Sequence, residues 1–285
     1  MIYKLVDKLS FIRSLKKKRA TFFLNLIISA DEVFWRIRLF IFILILGKRN
    51  KFGKALYELR KTGIGIIPNF YTDQKVSDIK KECLNLMDKL SENRIDKINI
   101  ELVSNQIKIK GLHEVNKFFQ SIGSDIKNSI INFAYHVWFS KPYLIYNLFH
   151  DGKFNHPIFL NKKKEKSETI AGKPHVDLFL HQLRMCLALE DVKETNGPTV
   201  CYKNSMNLEF IKENHLNLAL EQFNFNQDKN LGHYVNENKI GNLENYSEKH
   251  LVTANKGDLI LIDLKTVHNQ TPLTEGERHF LWFYF

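Results

Sequence analysis

The sequence predicts a mainly β fold, a sandwich or barrel flanked by helices. From about residue 143 onward, short runs rich in aromatic and branched residues alternate with polar turns. Helical periodicity is concentrated in the N-terminal half and in one later insertion. A chain of 285 residues that is 44% hydrophobic and 12% aromatic, with 22 Phe, has enough apolar surface for a single sizeable core.

The first 55 residues form a basic, apolar helical extension. The cluster Arg13-Ser-Leu-Lys-Lys-Lys-Arg19 precedes an apolar stretch from Ala20 to Ile28, and Phe34-Trp35-Arg36-Ile37-Arg38 runs into Leu39 to Leu46, which reads as two helical segments. The longest apolar run has eight residues, whereas a membrane span takes roughly 20, so no transmembrane helix is expected. A signal peptide fits poorly, because the basic region is long and Ile28 is not small. Two readings remain: a helical layer packed on the domain, or an interfacial segment resting on anionic lipid through Lys and Arg around Phe34 and Trp35.

The remaining chain, 56 to 285, reads as one domain with a polar insertion at about 207 to 255. A helical pattern from Ala55 to Thr62 ends at Gly63, and Ile64-Gly-Ile-Ile-Pro68 reads as a strand closed by proline. Val76, Ile79, Cys83, Leu86 and Leu90 recur at helical spacing behind a cap at Asp73 or Ser77. A further helix is expected from about Val115 to Phe133, then a buried strand over Tyr143 to Phe149. Asn161 to Glu168 is a Lys-rich loop, either a surface excursion or a lid. Strands follow at Leu183 to Leu189, Thr199 to Tyr202, Leu259 to Leu264 and His279 to Phe285, with turns at Asn196-Gly-Pro198 and Lys256-Gly-Asp258. The insertion carries one helix, Leu208 to Phe223.

The net charge of +11 is unevenly distributed: residues 1 to 62 hold 15 Lys and Arg against 4 Asp and Glu, leaving 27 of each beyond. A nucleic-acid partner would need a basic stripe with interleaved aromatics on the folded domain, and none is visible there. Cys83, Cys186 and Cys201 lack C-x-x-C spacing, which argues against a disulfide framework or zinc knuckle and fits a reducing cytoplasm, with contact at a membrane surface as the alternative placement for the extension.

The candidate chemistry lies in His175-Val-Asp177. Strand alternation sends residues 175 and 177 to one face, where an imidazole and a carboxylate can share an ion. His268, at the end of the apolar strand beginning Asp258-Leu-Ile-Leu-Ile-Asp-Leu264, is the candidate third ligand. Two imidazoles and a carboxylate leave three octahedral positions open, the arrangement suited to non-haem Fe(II) and oxygen. Arg278 follows ten residues later, and a hairpin through Thr271 to Gly276 would return it beside His268 to receive a carboxylate by two parallel hydrogen bonds. Otherwise it is an Arg snorkelling at a strand end.

Four stretches, in order, resemble the phytanoyl-CoA dioxygenase-like branch of Fe(II)/2-oxoglutarate oxygenases over roughly residues 55 to 285. They are Leu59-Arg-Lys-Thr-Gly-Ile-Gly-Ile-Ile-Pro-Asn-Phe-Tyr71, Lys173-Pro-His-Val-Asp177, Leu187-Ala-Leu-Glu-Asp-Val-Lys-Glu-Thr-Asn-Gly-Pro198, and Lys256-Gly-Asp-Leu-Ile-Leu-Ile-Asp263 leading to His268 and Arg278. The resemblance implies a double-stranded β-helix, a cupin-like jelly roll, buttressed by N-terminal helices. It implies Fe(II) held by His175, Asp177 and His268, 2-oxoglutarate paired with Arg278, O2 as oxidant, and hydroxylation of a small-molecule or lipid-like substrate with release of succinate and CO2. Gln270 stands where the family often has a small hydroxyl residue near the cosubstrate, and Tyr146, Asn147 and Arg184 are further candidates for contact with cosubstrate or substrate. Tyr202-Lys-Asn-Ser-Met206 replaces the family's Pro-Gly-Ser-His turn, so that histidine is absent. The retained Asp177 argues against the halogenating variants, which lack the carboxylate. Two rival classes stand beside the enzyme: a catalytically silent binding domain of the same fold, which would form no succinate, and a membrane-surface adaptor acting through residues 1 to 55.

Overall fold

The computed structural model describes residues 10–92, 95, 98–103, 106–131, 142–150, 156, 172–225 and 233–284. In chain order the elements are α1 (Lys17–Leu46), α2 (Lys51–Thr62), β1 (Ile64–Ile67), α3 (Asp73–Glu92), β2 (Asn99–Val103), β3 (Gln106–Lys110), α4 (Lys117–Lys127), β4 (Tyr143–His150), β5 (Leu183–Ala188) and β6 (Thr199–Tyr202). They continue with α5 (Glu209–Gln222), α6 (Glu237–Tyr246), β7 (Lys249–Val252), β8 (Leu259–Asp263), β9 (His268–Gln270) and β10 (Glu277–Tyr284). The Lys-rich loop at 161 to 168 and the last residues of the expected helix to Phe133 lie outside the described residues.

Two antiparallel sheets face one another. The larger has the order β1-β8-β5-β10-β4-β3-β2 and the smaller β7-β6-β9. Single backbone bridges extend the smaller sheet from His268 to His175 and from His175 to Tyr234. Neighbouring strands that come from distant parts of the sequence make this a double-stranded β-helix, as the family resemblance implies. Alternation sorts the larger sheet's side chains. Ile107, Ile109, Leu144, Leu148, Met185, Leu187, Leu261 and Phe283 form a core with α1 to α4. Cys186, Ala188, Ile260, Ile262 and Phe280 point between the sheets.

Several expectations need correction. The N-terminal segment is one continuous helix of 30 residues, not two. No Gly or Pro interrupts it, so nothing in the sequence breaks its hydrogen-bond ladder. Trp35 is not an interfacial anchor: it is buried, with its ring stacked on His181 at 3.8 Å. The hairpin β2/β3 and, in the insertion, α6 and β7 were not anticipated from the sequence.

The packed face of α1 is held by apolar and ionic contacts together. Leu39 and Ile43 join the core under the larger sheet, while Ala20 and Leu24 pack with α5 and the smaller sheet. Glu32 accepts from His181 Nε2 at 2.6 Å and from Lys265 Nζ at 3.1 Å, and His181 Nδ1 meets the Asp263 carboxylate at 2.5 Å. Burial would push the His181 imidazole down, but Asp263 outweighs it and holds the pKa up. The group is therefore a charged bolt between α1 and the two segments that carry Asp177 and His268.

Gly63 ends α2 in the left-handed region at φ 85°. A Cβ there would collide with the Thr266 hydroxyl, whereas one at Gly241 within α6 would meet nothing within 4 Å. Gly63→Ala should therefore lower unfolding stability by more than about 1 kcal/mol, and Gly241→Ala should leave it unchanged or raise it by up to about 1 kcal/mol. Urea midpoints of the two variants check the contrast.

Candidate metal and cosubstrate site

The backbone builds the site before any side chain is considered. His175 N–H donates to His268 O at 3.0 Å, and His268 N–H donates to His175 O at 2.9 Å, a reciprocal antiparallel pair across 93 positions of sequence. Beside it, the Asp177 N–H donates to Leu264 O at 3.1 Å. His175 makes single bridges and no extended strand, unlike the strand read from the sequence. Its side chain and that of Asp177 nevertheless leave on the same side. Their closest approach, His175 Nε2 to Asp177 Oδ1, is 3.5 Å, and His268 Nε2 lies 3.6 Å from Asp177 Oδ2.

Local hydrogen bonds orient both imidazoles. His175 Nδ1–H donates to Lys173 O at 2.7 Å, and His268 Nδ1–H donates to Thr266 O at 2.9 Å. Each ring therefore turns the lone pair of Nε2 towards Asp177. Burial, assisted by His268, pulls the His175 pKa down to about 3, so the ring is neutral. Burial alone would raise the Asp177 carboxyl, but the Arg184 guanidinium beside it outweighs burial and holds the group well below the usual carboxylate range. A neutral His175 and an ionised Asp177 are in the protonation states that a cation requires.

Arg184 projects from β5 onto Asp177 Oδ2 at 2.6 Å, with its guanidinium carbon 4.4 Å from the Tyr284 ring centre. Arg278 is almost fully buried and lies over Phe149 and Phe280. Its Nε and Nη1 have no hydrogen-bond partner among the described residues. Burial lowers its pKa to about 10, which leaves a charged, unsatisfied fork in the interior. A planar carboxylate fits such a fork. The hairpin expected to bring Arg278 to His268 is absent, because β9 belongs to the smaller sheet and β10 to the larger. The two residues lie on different sheets.

The other expected contacts divide by strand parity. Asn147 and Arg278 share the inner face, and the Asn147 Oδ1 has no partner among the described residues. Tyr146, the preceding residue, points the opposite way into the core under the helices, and its hydroxyl meets His279 Nδ1 at 2.6 Å. The expectation that Tyr146 contacts the cosubstrate is thus corrected: consecutive strand residues cannot both line one face. Gln270 shares the face of His268, two residues on, and its Nε2 is buried without a partner among the described residues. Two site residues escaped the sequence reading. His233, in the insertion, brings a ligand atom within 4.8 Å of those of His175 and Asp177. Lys108, on β3, is pulled down by burial and feels both Arg184 and Asp177. The alternation Gln106-Ile-Lys-Ile-Lys110 was the available signal for Lys108, whereas a lone His in a polar insertion offered none. A separate cavity of about 810 Å³ between α2, β1 and β7, lined by Lys51, Lys54, Lys61, Lys203 and His250, contains none of these ligands.

Comparison with known proteins identifies the family. The family model described as phytanoyl-CoA dioxygenase matches residues 59–280, and the chain belongs to that family. Fe(II), 2-oxoglutarate and O2 are the family's cofactors, and the donor set and buried guanidinium fit the first two. No curated protein matches. Among solved structures, the epimerase SnoN in complex with Fe3+, alpha-ketoglutarate and nogalamycin RO is 14% identical with TM-score 0.52, over 81% of this chain and 82% of that one. EctD from S. alaskensis with bound Fe is 16% identical with TM-score 0.51, over 80% and 73%. These likenesses establish the shared fold. The protein is thus an oxygenase-type enzyme of the Fe(II)/2-oxoglutarate class.

The packing behind the site sets a pH limit. Burial lowers the pKa of His215 to about 3 and that of His279 to about 4, from 6.5. Between those values the unfolded chain binds protons that the folded chain excludes, so stability rises with pH and is lost on acidification below 6.5. Each group should contribute a slope of about 1.4 kcal/mol per pH unit within its window. Urea unfolding between pH 6.5 and 4.5 should show this, with a shallower slope in His215→Gln.

Proposed function

We propose that this enzyme hydroxylates an aliphatic C–H bond of a small-molecule or lipid-like substrate, consuming O2 and 2-oxoglutarate and releasing succinate and CO2. The observation that carries the reading is the approach of His175 and His268 to Asp177, together with a buried Arg278 that has unsatisfied donors on the inner face of the larger sheet. Fe(II) with 2-oxoglutarate supplies the oxidising chemistry when bound. His175 and His268 would offer Nε2 and Asp177 a carboxylate oxygen. Arg278 would receive the distal carboxylate of 2-oxoglutarate on its guanidinium, which orients the cosubstrate. Gln270, whose free Nε2 donates, is a candidate to complete its hydrogen bonds, whereas the free Asn147 Oδ1 accepts and suits a donor on the substrate. The apolar inner residues Cys186, Ile260, Ile262 and Phe280 exclude water around these contacts.

The retained Asp177 favours hydroxyl transfer over halogenation, since it fills the position a halide would take. Lys108, 3.9 Å from Glu101 and within reach of the Asp177 charge, gives an acidic group on the substrate a counter-ion near the metal ligands. The buried free thiols of Cys83, Cys186 and Cys201 support work in a reducing cytoplasm.

Turnover of 2-oxoglutarate tests the proposal. Succinate should form with Fe(II) and O2 and fall by at least about a hundredfold in Asp177→Ala and His268→Ala. Arg278→Met should raise the 2-oxoglutarate requirement by roughly tenfold or more, the worth of a charge-assisted pair, while leaving Fe(II) affinity near that of the unaltered protein. Succinate formation that survives His268→Ala would sink the reading.

A further inference from the structure

Helix α1 is apolar on two opposite faces, and the described residues pack against only one. Trp35, Leu39 and Ile43 are buried against the domain. On the other side Phe23, Leu26, Ala30, Val33, Ile37, Phe40 and Leu44 recur at alternating steps of three and four residues, a stripe running most of the helix. These residues are exposed among the described residues, with Leu26 at 56%, Ile37 at 56% and Leu44 at 65%. At about 1.5 Å per residue the helix is some 45 Å long, so the stripe forms a contiguous apolar strip far larger than isolated surface hydrophobics. No described helix is long and apolar enough to cross a membrane.

The charges around the stripe identify what covers it. Arg13, Lys16, Lys17, Lys18 and Arg19 are exposed at its N-terminal end, and Lys48, Arg49 and Lys51 at its C-terminal end. Arg36 and Arg38 flank it. The only carboxylates of the helix, Asp31 and Glu32, are turned inward: Asp31 accepts from the His181 N–H at 2.8 Å and Glu32 binds His181 and Lys265. The outward face is therefore apolar along its length and cationic at both ends.

A second copy of the chain is the alternative occupant, since the three-and-four spacing is that of a coiled coil. Paired helices, however, place opposite charges beside the seam to set register. Here the flanking positions are Phe22, Ile27, Ser29, Phe34, Arg36, Ile41 and Ile43, and their one charge, Arg36, is already paired with Glu32 of its own helix at 2.7 Å. The strip is also wider than a seam, because Phe34, Ile41 and Ile45 extend it sideways.

We propose that α1 lies flat on an anionic lipid surface, its exposed stripe sunk among the acyl chains and its terminal cations on the headgroups. The packed face stays bolted to the domain through His181 and Lys265, so docking needs no unfolding of α1. This surface is independent of the oxygenase reading, and its test requires neither iron nor cosubstrate.

Flotation of the full chain with vesicles decides the matter. The protein should float with vesicles of equal parts phosphatidylglycerol and phosphatidylcholine and bind phosphatidylcholine vesicles at least tenfold more weakly. Ile37→Asp/Leu44→Asp should reduce binding to the anionic vesicles at least tenfold with an unchanged thermal midpoint, as both side chains are exposed. Lys16→Gln/Lys18→Gln, which spares the stripe, should weaken binding and its salt sensitivity. Absence of the unaltered protein from the anionic vesicle fraction would overturn the proposal. So would a dimer in sedimentation velocity that Ile37→Asp/Leu44→Asp returns to monomer while vesicle binding is unaltered.

Discussion

Two hydrogen bonds between the backbones of His175 and His268 hold the functional centre together. They are ordinary antiparallel bonds, 3.0 and 2.9 Å long, yet they join segments separated by most of the second half of the chain. Once they form, both imidazoles leave from one edge of the smaller sheet, and each ring is turned by a carbonyl two residues earlier, Lys173 O or Thr266 O. The ligand geometry is thus a consequence of β-sheet pairing. The helical parts of the protein matter to it indirectly, through the His181, Asp263, Lys265 and Glu32 group that fixes the chain just after Asp177 and just before His268.

Electrostatics then divides the interior between two arginines with different tasks. Arg184 has a protein carboxylate to answer it and keeps Asp177 ionised. Arg278 has aromatic rings around it and no hydrogen-bond partner for two of its nitrogens among the described residues. An uncompensated guanidinium in such a place is costly unless a ligand supplies the missing acceptor. The same strand that carries this fork, β10, stacks between β4 and β5 at the centre of the larger sheet, where its position is over-determined by two neighbours. Rigid placement of a charged binder is what orientation of a small dicarboxylate demands.

Much of this was legible in the sequence because it is written in local patterns. Thr199 to Tyr202 and the apolar run from Leu259 stand out as strands, and Gly63 marks the end of α2. Parity was legible too, but was not applied to Tyr146 and Asn147, of which only one can face the interior. What stayed hidden depends on tertiary context. His233 reaches the centre only because its backbone carbonyl accepts from the Val176 N–H, a long-range pairing with no sequence marker. Trp35 looked like a lipid anchor in a basic, apolar segment and became a core residue because its ring found the buried face of His181. The separation of β9 and β10 into different sheets was likewise invisible, since the turn between them has the composition of a hairpin.

Anaerobic addition of Fe(II) and 2-oxoglutarate addresses the convergence of these side chains most directly. A visible charge-transfer band, produced only when both are present and lost in His175→Ala, is the result expected of a chelated metal held by this triad. A wild-type protein without the band, or a band of equal strength in His175→Ala, would contradict it.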